Sequence, residues 1–120
     1  MYSFDFHRPN SADDAAKLAG GDAQYLAGGQ TLIPTLKQRL ANPSALIDVT
    51  KIGGMTDIAV DGGSVRIGAA VTHAAVAASA DVAGAIPALA DLAGKIGDAQ
   101  VRNRGTIGGS IANADPAADY

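Results

Sequence analysis

The sequence predicts an α+β fold in which a small parallel βαβ subdomain is followed by a second α/β subdomain. Up to Thr50, short apolar strands alternate with helical segments, and this alternation favours parallel pairing. Beyond Gly53-Gly54 the pattern changes to a hairpin followed by alanine-rich helices. We therefore expect a subdomain boundary at these glycines, with one unit at residues 1–53 and another at 54–120.

The first unit opens with a strand and a helix. Phe4 and Phe6 alternate with polar neighbours, which is typical of a short strand. Ser11 is a suitable N-cap for a helix over residues 12–19, and Gly20-Gly21 ends it.

The rest of the first unit is predicted as a strand, a turn, a helix and a strand. Residues 23–27 form the strand that leads into a glycine-rich turn, and Thr31 is placed to cap the helix that follows. Leucines at 32, 36 and 40 recur with helical spacing, so we expect that helix to reach Leu40. Residues 45–49 are mostly apolar and form the third strand.

The second unit opens with a hairpin. Apolar residues alternate on both sides of Asp61-Gly62-Gly63, which is a typical hairpin signal. The remaining predicted elements are a helix that Thr72 caps and that ends at Ser79, a helix opened by Pro87, and a short strand at Ile111-Ala112.

Composition excludes several functions. The net charge of −3 argues against nucleic acid or an anionic membrane as the main partner. Cysteine is absent, so this chain ligates no iron–sulfur cluster, and its two histidines lie far apart, so we expect no metal site. The alanine-rich stretch is too polar to span a bilayer, and the N-terminus does not resemble a signal peptide. We expect a cytoplasmic protein.

Two glycine-rich turns are the main functional signal. They are Ala27-Gly28-Gly29-Gln30-Thr31-Leu32 and Arg104-Gly105-Thr106-Ile107-Gly108-Gly109-Ser110, and Arg102 adds charge near the second. Paired glycines let backbone N–H groups approach an anion closely, so the turns predict a divided cradle for a diphosphate. Each turn taken alone also fits a plain connection between elements in which glycine only relieves strain.

Other polar residues give weaker signals. Asp115 and Asp119 fit an acid–base pair, acceptors for a ribose, or simply a solvated surface. His7 and His73 are expected to be surface or capping residues, and Ile96 is expected in the core or against an adenine. The sequence points to no catalytic residue.

The turns also carry a family resemblance. Residues 27–34 and 100–110 resemble the two flavin motifs of the FAD-binding medium subunits of molybdenum hydroxylases, the carbon monoxide dehydrogenase and xanthine dehydrogenase family. Residues 67–73 between them also match the family pattern, and the order and spacing agree. The resemblance implies the two-subdomain, PCMH-type FAD-binding fold also found in vanillyl-alcohol-oxidase-type flavoproteins. It covers essentially the whole chain.

The resemblance implies FAD as the cofactor. The residues it assigns to FAD are Ala27, Gly28, Gly29, Gln30, Thr31, Leu32, Ile96, Thr106, Ile107, Gly108, Gly109, Ser110 and Asp119. Asp119 matches an acid that binds the adenosine portion, and Ile96 an apolar residue near the adenine. The family's FAD takes electrons from iron–sulfur clusters on a small subunit, which a molybdenum–pterin centre on a large subunit reduces, and passes them to an external acceptor. A hetero-oligomer is therefore expected.

Length is the one departure from the family. Its members run to well over twice this length, so the resemblance implies that Tyr120 lies inside an incomplete second subdomain. The chain is then expected to be a fragment, or a truncated product that needs a complementing piece. A non-enzymatic assembly fragment without FAD and a stand-alone flavoprotein of the same superfamily stay open as alternatives.

Overall fold

A computed structural model describes residues 1–120 as five strands and seven helices. The first half contains β1 (Asp5–His7), α1 (Ala12–Leu18), β2 (Gln24–Leu26), α2 (Leu32–Lys37) and β3 (Ala45–Asp48). The second half contains β4 (Ile58–Asp61), β5 (Ser64–Ile67), α3 (His73–Ala78), α4 (Ala80–Ala85), α5 (Pro87–Ala93), α6 (Ala99–Arg102) and α7 (Ile107–Asn113).

The first half is built on a three-stranded parallel sheet in the order β1-β3-β2. The central strand β3 is its most buried part: Leu46, Ile47 and Asp48 are all buried. Ile47 joins Ala15 of α1 and Ile52 in a small core, so α1 covers one face of the sheet. The predicted parallel βαβ pattern is confirmed.

The second half combines a hairpin with a small helical layer. Strands β4 and β5 pair antiparallel around Gly62 and Gly63, whose φ angles of 52° and 88° suit a tight hairpin turn. The second core contains Val71, Val76, Val82, Ala90 and Ala93, against which the hairpin packs Ile58, Val65 and Ile67. Small side chains allow α3 and α5 to pack closely, which accounts for the alanine-rich sequence.

Several predicted helix starts are confirmed. The hydroxyl of Ser11 accepts a hydrogen bond from the Asp14 N–H at 3.1 Å, and Thr72 accepts one from the Ala75 N–H at 3.2 Å. Pro87 occupies the first turn of α5. Ser79 ends α3 and also caps α4. Helices α4 and α6 were not predicted from the sequence.

Three local predictions were wrong. Ile111 and Ala112 lie in α7, because Thr106 caps a helix there and its hydroxyl accepts the Gly109 N–H. Helix α2 ends at Lys37, so Leu40 lies beyond it and is 74% exposed. Thr31 makes no side-chain cap, since its φ and ψ of −101° and −47° are already helical.

The second glycine-rich turn is hydrogen-bonded to the segment between β5 and α3, within the second half of the chain. The Ile107 N–H donates to the Val71 carbonyl at 3.0 Å, and the His73 N–H donates to the Gly105 carbonyl at 3.0 Å. These bonds bring the second glycine-rich turn beside the segment between β5 and α3. The division into units at 1–53 and 54–120 stays a prediction. None of the helices has the length and apolar character needed to cross a membrane.

Candidate functional site: a cleft between two glycine-rich turns

Both glycine-rich turns line one open cleft of about 800 Å³. This volume lies within the range of roughly 300–1,000 Å³ typical of small-molecule sites. Ten of the residues predicted from the sequence line it: Ala27, Gly28, Gly29, Gln30, Thr31, Leu32, Thr106, Gly108, Gly109 and Ser110. The two turns, distant in sequence, therefore share a single hollow.

The first turn presents a run of free backbone donors. No protein acceptor lies within hydrogen-bond distance of any N–H group from Ala27 to Leu32; intrahelical bonding begins with Ile33, whose N–H donates to Gly29. Gly29 has a φ of +71°, a conformation that bends the chain between β2 and α2 and that a side chain would strain. Successive unpaired N–H groups in such a bend form a concave anion-binding surface.

The second turn is different, because its backbone donors are already used. The N–H groups of Ile107 and Gly108 donate to the carbonyls of Val71 and Ala69, and that of Gly109 donates to the Thr106 hydroxyl. The first-turn amides of α7 are therefore not free to bind an anion. A Cβ at Gly108 would lie 2.5 Å from the Ala69 carbonyl oxygen, so this glycine is needed for packing.

The turns also touch each other directly. A Cβ built on Gly28 would overlap the Arg104 carbonyl oxygen and lie 2.8 Å from the Gly105 Cα. Only glycine at position 28 allows the first turn to approach the second this closely. Gly28 therefore permits the direct contact between the two turns that line the cleft.

Side chains add hydroxyls but no cation. The Thr31 and Ser110 hydroxyls make no hydrogen bond within the protein, and no Lys or Arg lines the cleft. Arg102 and Arg104, which lie near the second turn in the sequence, do not line the cleft. Arg102 donates to the carbonyls of Ile96 and Gly97, and Arg104 lines a separate cavity behind Gly28. A negatively charged ligand in the cleft would therefore interact with backbone N–H dipoles rather than with cationic side chains.

Comparison with known proteins assigns the family. Residues 2–120 match the model of the FAD binding domain in molybdopterin dehydrogenase. The chain belongs to this family. It is 45% identical to the carbon monoxide dehydrogenase medium chain of Afipia carboxidovorans over 98% of its own length and 42% of that protein's. It is 40% identical to 6-hydroxypseudooxynicotine dehydrogenase complex subunit alpha of Paenarthrobacter nicotinovorans, over 98% of this chain and 40% of the relative.

Solved structures agree with this family of FAD-binding domains. Quinoline 2-oxidoreductase from Pseudomonas putida 86 superposes with a TM-score of 0.94 at 35% identity, over 98% of this chain and 42% of that one. The predicted fold class and family resemblance are confirmed. The chain spans about two fifths of the length of the relatives it matches.

Three of the residues predicted to bind FAD do not line the cleft. Ile107 packs against the second core instead, and Ile96 is buried in the loop after α5. Asp119 is exposed, and its carboxylate lies close enough to His73 and Tyr120 to affect the pKa of both. Asp115 and Ala118 of the same segment do reach the cleft.

One cleft residue was not anticipated as a binding residue. His73, the first residue of α3, is 5% exposed and lines the cleft. Burial lowers the pKa of His73, and the nearby Asp119 carboxylate opposes that effect only in part. Burial also raises the pKa of Tyr120, whose hydroxyl lies 2.9 Å from His73 Nδ1. The sequence signals for His73 were its position just after the capping Thr72 and its place in residues 67–73, which match the family pattern; nothing in the sequence pointed to Tyr120.

The cleft contains no cluster of side chains suited to holding a metal ion. No group of three or more His, Cys, Asp or Glu side chains comes together anywhere in the structure. What the cleft offers is hydrogen-bond donors and small residues. Unpaired backbone N–H groups of this kind suit an anionic ligand.

Proposed function

We propose that this chain binds FAD in the cleft between its two glycine-rich turns, as the flavin-binding part of a molybdenum hydroxylase medium subunit. The observation that carries this proposal is the run of unpaired N–H groups from Ala27 to Leu32 along the cleft. Family membership identifies the anion such donors would hold as the diphosphate of FAD.

The residues of the cleft fit this cofactor. The free amides of the first turn bind the doubly charged diphosphate without any cationic side chain. The Thr31 and Ser110 hydroxyls, one from each turn, add donors, and the glycines let the ligand lie against the backbone. Ile96, Ile107 and Asp119 belong to the binding set through the family resemblance; Asp119 and Ile96 would serve the adenosine end.

Bound FAD supplies the redox chemistry, and the chain's own residues hold and orient it. The proposed role is electron transfer within a hetero-oligomer. Iron–sulfur clusters on a small subunit and molybdenum–pterin on a large subunit lie upstream, and an external acceptor lies downstream. The absence of cysteine fits clusters carried by a partner. We also propose that this assembly is cytoplasmic, which fractionation of the source cells tests.

Titration of the purified chain with FAD tests the binding proposal. We expect saturable binding in calorimetry and retention of yellow colour after gel filtration. Replacing Gly29 with Val should abolish binding, because φ at this position is positive and the added side chain would strike Ile33. Gly84→Ala, at a site with open space around it, is the control and should bind normally. A colourless wild-type protein that shows no heat of binding would overturn the proposal.

A further inference from the structure

His73 is held by contacts of its backbone N–H, its ring and its Nδ1 atom. Its backbone N–H donates to the Gly105 carbonyl at 3.0 Å, and its ring lies against Gly105, where a Cβ would come within 2.8 Å of Nε2. Its Nδ1 lies 2.9 Å from the Tyr120 hydroxyl oxygen, with the two ring centroids 5.3 Å apart. The imidazole therefore has one orientation relative to the cleft.

The Tyr120 hydroxyl lies where it can donate to Nδ1, and the tautomer of His73 follows from the direction of this hydrogen bond. A phenol has a single hydrogen to donate, and Nδ1 is the only protein group within hydrogen-bond distance of the Tyr120 hydroxyl. If that hydrogen goes to Nδ1, then Nδ1 is the acceptor and Nε2 carries the proton of the neutral ring. Because burial disfavours the charged form, the neutral ring is the form present near neutral pH.

Nε2, which carries the proton in the tautomer that accepts from Tyr120, has no hydrogen-bond partner within the protein. Nε2 makes no hydrogen bond, yet the chain contains no buried side-chain nitrogen or oxygen without a partner. Nε2 therefore keeps contact with open space, and His73 lines the cleft.

We propose that His73 donates a hydrogen bond from Nε2 to a phosphate or sugar oxygen of the dinucleotide in the cleft, and that Tyr120 positions it by fixing the tautomer. This inference rests on the proposed FAD binding. His73 is then a contact residue outside the two glycine-rich turns. Tyr120 acts through His73 and ties the segment after α7 to the same site.

The tautomer can be measured without any ligand. Long-range ¹H–¹⁵N correlation spectra of the labelled protein should show His73 protonated at Nε2, and Tyr120→Phe should produce a mixture of tautomers. Hydrogen exchange in residues 115–120 should also speed up in Tyr120→Phe, because their tie to α3 is lost. A wild-type ring protonated at Nδ1 would overturn the assignment of the donor.

Ligand affinity tests the contact itself. An Asn side chain places an amide near the position of Nδ1 and a Gln side chain near that of Nε2, so the two variants separate the roles. We expect His73→Asn to weaken FAD binding by roughly tenfold, the scale of a hydrogen bond to a charged group, and His73→Gln to retain more of it. His7→Asn, on β1 and outside the cleft, is the matched control and should bind normally.

The outcomes distinguish the two proposals. Wild-type binding of FAD with unchanged affinity in His73→Asn would overturn the His73 contact and leave the proposed function intact. Failure of the wild type to bind FAD would overturn the function. Repeating the titration with ADP locates the acceptor: a loss of similar size places it in the adenosine diphosphate half, whereas a loss confined to FAD places it in the riboflavin half. If His73→Asn does not fold, the tautomer spectrum and Tyr120→Phe still decide.

Discussion

The two glycine-rich turns look alike in sequence but do different work. The first leaves the N–H groups from Ala27 to Leu32 without protein acceptors, whereas the second uses the N–H groups of Ile107, Gly108 and Gly109 to hold α7 against its neighbours. In the first turn glycine exposes the backbone to a ligand. In the second, Gly108 allows the backbone to lie against Ala69. Glycine content alone therefore does not identify an anion site. What identifies it is whether the backbone N–H groups are left without protein acceptors.

The largest effect is expected where the turns meet. Gly28→Ala places a methyl group against the Arg104 carbonyl, and neither backbone can move away without opening the cleft. We expect a loss of about 1–3 kcal/mol or more in the free energy of unfolding, together with loss of FAD binding. Urea denaturation and FAD titration measure the two effects. Unchanged stability and binding would show that the turns do not touch.

Gly108→Ala separates packing from ligand contact in the second turn. The added Cβ would strike the Ala69 backbone, so we expect a drop of about 1–3 kcal/mol in the free energy of unfolding. In folded molecules the free donors of the first turn are unaffected, so FAD should still bind, with its affinity reduced less than in Gly29→Val. A stable Gly108→Ala protein that cannot bind FAD would instead place the anion contact at the second turn.

Asp48 provides a pH test of the strand beside the first turn. Burial acts to raise the pKa of Asp48, but hydrogen bonds from Thr50 and the Arg8 guanidinium outweigh it and lower the pKa below its ordinary 3.8. A carboxyl with a depressed folded-state pKa adds stability above its unfolded pKa, and this stability disappears as the pH falls through the folded value. Wild-type stability should therefore decline below about pH 4, and Asp48→Asn should show a weaker decline. Parallel acid dependence of the two proteins would contradict this account.

The Thr31 and Ser110 hydroxyls should contribute less to FAD affinity than the backbone N–H groups of the first turn. Thr31→Val and Ser110→Ala each remove one donor from the cleft, so each should weaken FAD binding by about 0.5–1.5 kcal/mol, measured by calorimetry. Ser64→Ala, on the hairpin and outside the cleft, is the control. A loss as large as that of Gly29→Val would mean that side chains, not amides, provide most of the binding.

The smallest effect expected is that of salt. Because no Lys or Arg lines the cleft, FAD affinity should change less than about threefold between low and moderate ionic strength. Calorimetric titrations across a sodium chloride series measure this. A steep decrease would indicate that mobile cationic side chains reach the ligand and that the first turn is not the main anion site.

Local signals in the sequence were enough for much of the fold. The alternation of strands and helices up to Thr50 predicted the parallel sheet, and Gly62-Gly63 predicted the hairpin, because both depend on short-range patterns. The strand predicted at Ile111-Ala112 was wrong, because two apolar residues cannot distinguish a strand from a helix when a capping threonine lies upstream.

The sequence predicted the glycine-rich turns of the candidate site but not the contacts that depend on residues far away in the chain. The glycines of both turns were visible in the sequence, and both turns line the cleft. Which amides remain free depends on Ala69 and Val71, far from either turn in the sequence, and no local pattern shows this. The His73–Tyr120 pair depends on a contact between α3 and the segment after α7, which is also visible only in three dimensions.

The contact of Gly28 with Arg104 also bears on how the protein matures. The two turns that line the cleft lie far apart in the sequence, so the cleft is complete only after this long-range contact has formed. Competence to take up the cofactor should then arise late in folding, after the local hairpin and helices. FAD added during refolding would bind the molecules that have completed this step, and it would shift the folding equilibrium toward the native state.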